Sequence, residues 1–139
     1  MRRLASILVA FWAGSLWTVC GVVAPTLFAT LDDRRVAGDL AGRFFRVETW
    51  LGVVFAVVLI GLLLARKASK ARRNDLALIA GTAAAPLISE LALRPGMDAA
   101  RSAGDMARFG MLHGASTVLF AIACIGAFAL VWRFSRPAE

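Results

Sequence analysis

Four apolar runs constrain this chain more than any other feature. Leu4–Leu31 and Thr49–Ala65 hold no charged residue, Leu76–Leu93 holds one acid, Glu90, and Phe109–Trp132 holds His113 as its one charge-bearing candidate. Crossing the hydrocarbon of a bilayer takes roughly 20 apolar residues of helix. Backbone groups in lipid find no water to bond, so a spanning segment must be a helix or a strand of a closed barrel. No segment alternates with a period of two, which leaves helices. An amphipathic lead-in from about Val36 lengthens the second run, giving expected helices over 4–31, 36–65, 76–93 and 106–132. The expected fold is all-α, an up-down-up-down four-helix membrane bundle forming a single transmembrane domain over residues 1–139.

Hydrophobic residues make up 60 % of the chain, above the roughly 45–50 % of soluble domains. The net charge of +7 does not form a nucleic-acid reading face, because the basic residues sit between apolar runs as topology signals do. One side carries Arg2, Arg3, Arg66, Lys67, Lys70, Arg72, Arg73, Arg133 and Arg136 against only Asp75 and Glu139. The other mixes Arg34, Arg35, Arg43, Arg46, Arg94, Arg101 and Arg108 with Asp32, Asp33, Asp39, Glu48, Asp98 and Asp105. The first side is therefore expected in the cytoplasm with both termini, in a multi-pass protein of the inner (cytoplasmic) membrane. The first run far exceeds the 7–15 apolar residues of a signal peptide and is read as a helix. Cys20 and Cys124 lie in separate apolar runs and read as packing residues, without metal or redox spacing.

The half of the bundle away from the termini collects the polar groups. His113 lies five residues past Arg108, and Glu90 four before Arg94, so both sit about 6–7.5 Å inside the boundary. A lone charge in lipid costs about 2.5–3.5 kcal/mol by the lenient insertion scale, so such groups seek partners. "AGDLAGRFF" (37–45) resembles "AGDMARFG" (103–110), and each follows an Ala-Pro, at Pro25 and Pro86. This reads as a parallel internal repeat that places Glu48 and His113 at equivalent positions. Each proline withholds a backbone donor, from the carbonyls of Gly21 and Thr82. Gly38-x-x-x-Gly42 and Gly110-x-x-x-Gly114 have the small-residue spacing of close helix contacts. Asp39, Arg43 and Arg46 form a row at helical spacing that reads as a solvated face ending at Trp50. Trp50 and Trp132 read as interfacial anchors, Trp12 and Trp17 as packing residues.

"GVVAPTLFATL…AGDLAGRFF" followed by "FGMLHGAS" resembles the transmembrane-protein-205-like family, a group of unknown function. The resemblance runs through Ala24, Pro25 and Phe28, then Ala37, Gly38 and Phe44, then Phe109, Leu112, His113, Gly114 and Ser116. It implies four helices and membrane residence, and it supplies no catalytic residue. The platinum-drug resistance linked to the family's eukaryotic member is not carried over to this chain.

Two readings of His113 stand. It packs helices through hydrogen bonds, or it belongs to an outward-facing pocket with Glu48, Glu90, Arg43, Arg108 and Ser116. Metal is not expected, since His113, Glu48 and Glu90 have no ligand spacing, and haem lacks a second histidine. No cofactor is expected, and no nucleophile–base set or phosphate loop points to an enzyme. The expected role is binding or helping to move a solute or ion. The alternative is an accessory protein packing against itself or a partner membrane protein, with lipid as the other contact.

Overall fold

A computed structural model describes residues 2–65 and 69–135. Among the described residues six α-helices follow one another: α1 (Arg2–Thr18), α2 (Ala24–Thr30), α3 (Arg34–Leu64), α4 (Lys70–Ile88), α5 (Arg94–Ser102) and α6 (Met106–Ser135). Wide π-helical turns, Val19–Val23 and Ser89–Leu93, join α1 to α2 and α4 to α5 without breaking the rod. The result is four spans, Arg3–Thr30, Arg34–Leu64, Lys70–Ser102 and Met106–Ser135, each long and apolar enough to cross a membrane. Large apolar side chains such as Phe11, Val54, Met111 and Phe128 point outward, as lipid requires and water forbids. The chain is a multi-pass helical membrane bundle. Arg66, Lys67, Arg136 and Glu139 lie outside the described residues.

Local chemistry sets the turns. Asp33 caps α3 by accepting from the Arg35 and Val36 N–H groups, at 2.8 and 3.3 Å. Asp105 caps α6 through the Arg108 N–H at 3.0 Å, and Ser69 caps α4 through the Arg72 N–H at 3.1 Å. Between α5 and α6, Gly104 takes φ +72°, a left-handed conformation that glycine adopts without steric cost. There the Asp105 N–H returns to the Ala100 carbonyl at 2.9 Å. The third span runs well past the apolar stretch 76–93 at both ends, because its charged flanks continue the helix outside the apolar zone.

Chain neighbours are spatial neighbours, and the first and last spans close the ring. Ser6 Oγ donates to the Phe134 carbonyl at 3.0 Å, which ties the two ends of the chain to one end of the bundle. Near that end Val9, Trp12, Leu59, Leu63, Ile79 and Leu130 form a closed core. Lipid tails are as apolar as these side chains, so close van der Waals fit holds them together. Trp12 stacks on Phe55 and lies over Gly52, where a Cβ would meet its indole nitrogen at 3.0 Å. Across the bundle Thr82 lies over Gly126 in the same way.

The two halves share a plan: long helix, π turn, short helix with proline at its start, tight turn, long helix. The pairing differs from the sequence expectation. Pro25 corresponds to Pro95, each just after a π turn, whereas Pro86 lies buried inside α4. Counted from the capping aspartates, Glu48 stands as far past Asp33 as Phe120 past Asp105, and both are buried, so Glu48 does not correspond to His113. The π turns absorb the local backbone change by reaching back five residues, from the Ala24 N–H to Val19 O and from the Arg94 N–H to Ser89 O.

Candidate functional site

Beyond the π turns the bundle divides. α2 lies along α3, and α5 lies along α6. Between the pairs is a groove of about 870 Å³, within the range of small-molecule sites. Its end near the two short turns is cationic, with Arg34, Arg43, Arg46, Arg94 and Arg101 outnumbering Asp39, Glu90 and Asp98. Its deeper end is apolar, walled by Trp17, Cys20, Phe45, Phe120 and Ile125.

Ion pairs bridge the second and third spans on one side. Glu90 accepts from Arg46 Nε at 2.6 Å and from Arg94 Nη1 at 3.2 Å. Arg101 donates to Asp39 at 2.6 Å and lays its guanidinium over the Phe109 ring, 4.5 Å from the centroid. Arg94 also donates to the Gly42 carbonyl at 3.3 Å, while its Nε is buried without an acceptor among the described residues. The row Asp39, Arg43 and Arg46 is thus more than a solvated face, since two of its members bridge to the third span.

The structure does not gather the expected site as a unit. Glu90, His113, Ser116 and Arg43 line the groove, whereas Glu48 and Arg108 do not. His113 stacks on Phe109, centroids 5.7 Å apart, and no carboxylate bonds its ring among the described residues. Glu48 is buried on α3 and accepts from Ser15 Oγ of α1 at 3.0 Å. Ser116 shares a 2.6 Å hydrogen bond with Ser89. Gly38 and Gly42 make room for arginine rather than for helix backbone, since a Cβ there would meet Arg101 at 3.8 Å and Arg94 at 3.3 Å. Gly110 and Gly114 face nothing within 4 Å among the described residues, so they do not draw helices of this chain together. Trp50 and Trp132 are exposed, while Trp12 is buried between helices.

Sequence reasoning missed Arg94, Arg101 and the cysteines as partners. Cys20, on the first span, packs against a cluster that holds Cys124 of the last span, and both line the apolar end of the groove. Arg94 carried a signal, its place four residues after Glu90.

A family model described as a domain of unknown function, DUF4149, matches residues 7–106. The chain belongs to the DUF4149 family. The DUF4149 match covers the first three spans and the turn before α6, so Arg94 and Arg101 fall inside it and His113 and Ser116 beyond it. No curated protein and no solved structure matches the chain.

Proposed function

We propose that this membrane protein binds a solute with an anionic group in the arginine-rimmed groove, without chemical conversion. The observation that carries the reading is Arg94, a groove-lining guanidinium held to Glu90 and Gly42 through Nη1 alone, which leaves both Nη2 N–H donors without an acceptor among the described residues. An oxyanion in the groove accepts charge-assisted bonds from such donors, which are about twice as strong as neutral ones. Arg34 and Arg43 add charge, and Arg101, braced on Phe109, adds a donor fork. The lysines and arginines near the termini support an orientation with both termini in the cytoplasm of a bacterial-type inner membrane, so the groove opens outward. The Phe-x-x-Leu-His-Gly-x-Ser segment supports placing the chain with transmembrane-protein-205-like proteins.

The test is equilibrium binding of a water-soluble alkyl phosphate to the detergent-solubilised chain, against an uncharged alkyl glycoside of equal length. The phosphate should bind tighter, and Arg94→Gln should weaken it about tenfold or more, since a charge-assisted bond contributes about 1.5–3 kcal/mol. Equal binding of both amphiphiles refutes the reading.

A second reading, an accessory role beside another membrane helix, is favoured by Gly110 and Gly114. Their open strip on α6 lets a foreign or identical helix come close. Bulky replacements there should then abolish co-purification of that partner or self-association.

A further inference from the structure

We propose that the occupant of the groove is an anionic lipid of the surrounding bilayer, entering sideways between α2 and α6. The inference rests on the binding reading above and names the ligand class and its route.

Both edges of the groove face the surroundings. On α6, His113, Thr117, Ala121 and Ile125 succeed one another every fourth residue, and all four are both exposed and groove-lining. On the first span, Trp17, Cys20, Ala24 and Phe28 form the opposite edge, with Trp17 and Phe28 exposed. Among the described residues α2 keeps to α3 while α5 packs on α6, which leaves the gap between these rows open. The side between the second and third spans is the closed one, pinned by Arg46–Glu90 and Arg101–Asp39.

Length and polarity fit the same occupant. From His113 to Ile125 the helix rises about 18 Å at 1.5 Å per residue. One leaflet's hydrocarbon is about 15 Å, half of a roughly 30 Å core. The groove therefore runs the depth of one leaflet, cationic where headgroups lie and apolar where tails lie. A free ion would leave the apolar end unused, and an uncharged tail would leave the excess of arginines at the other end unmatched. A lipid phosphate with its acyl chain satisfies both ends.

Trp17, half exposed on the groove edge, is a built-in reporter. The full chain is reconstituted in zwitterionic bilayers containing a minor fraction of lipid with brominated chains, either phosphatidylglycerol or phosphatidylcholine. The Trp17 signal is the difference between the wild type and Trp17→Phe. Brominated phosphatidylglycerol should quench it several-fold more than brominated phosphatidylcholine. Arg94→Gln with Arg101→Gln, and separately Ala121→Phe, which plugs the groove, should remove the excess. Arg108→Gln, off the groove, should leave it. Equal quenching by both lipids overturns the proposal, as does an excess untouched by the paired arginine replacements or by Ala121→Phe. Equal quenching alongside Arg94-dependent binding of the soluble alkyl phosphate leaves the binding reading standing and removes only the lipid. Loss of both removes both.

Discussion

Adding one methyl group at Gly126 should cost more than its size suggests. A Cβ there would fall on the Thr82 hydroxyl and lie 3.3 Å from Thr82 Cβ and 3.5 Å from its methyl. Thr82 is buried, and its hydroxyl donates to the Leu78 carbonyl at 2.8 Å, so it has no free space to turn into. Either Thr82 leaves its rotamer and its bond, or α4 and α6 move apart. Overpacking of this kind costs about 1–3 kcal/mol. The same change relieves glycine's helical penalty of about 0.5–1 kcal/mol, so the net loss for Gly126→Ala is at most about 2.5 kcal/mol. Gly61→Ala, with nothing within 4 Å of the new Cβ among the described residues, keeps only the gain. Reversible unfolding in mixed micelles of increasing denaturing detergent measures both. Thr82→Ala in the Gly126→Ala background should recover most of the loss, giving a coupling of about 1 kcal/mol or more. Equal stabilities of Gly126→Ala and Gly61→Ala would refute the packing of α6 on α4 described above.

Other perturbations separate structural from binding roles. Ser15→Ala removes the hydroxyl bonded to buried Glu48 and should lower unfolding stability by about 1–3 kcal/mol, leaving alkyl phosphate affinity unchanged; a shift in affinity instead would place Glu48 in the site. Mild oxidation should join Cys20 to Cys124 within one chain, seen as faster migration on a non-reducing gel that Cys124→Ser abolishes; failure to cross-link would contradict their packing together. Asp75→Asn breaks a partly exposed pair with Arg133 and should cost no more than about 1 kcal/mol, read from the same unfolding curves. A cytoplasm-dependent reporter should be active after Ser135 and silent after Asp98 if the basic flanks set the orientation.

The four spans were legible because charge-free runs of bilayer length admit few other structures. The capping roles of Asp33 and Asp105 went unread, although both stand just before their helices. The π turns were not legible, because one extra residue in a turn leaves no mark on an apolar pattern. They mark the repeat as Pro25 with Pro95, each just after a π turn, and not Pro25 with Pro86. Depth along the normal placed Glu90 and His113 at one level, but depth says nothing about rotation about the helix axis. Glu90 turned to two arginines and His113 to Phe109. Small residues misled for a related reason. Gly38 and Gly42 do permit close approach, and what approaches is guanidinium, because Arg94 and Arg101 sit at the same level on the neighbouring span.

Native mass spectrometry of the chain released from bilayers of mixed phosphatidylglycerol and phosphatidylcholine tests the groove most directly. One phosphatidylglycerol should stay bound to the wild type under activation that strips phosphatidylcholine, and should be lost from the Arg94→Gln, Arg101→Gln protein, whose Arg46–Glu90 bridge remains. Retention of both lipids alike, or of phosphatidylglycerol on the double variant as firmly as on the wild type, would contradict a binding site built from those arginines.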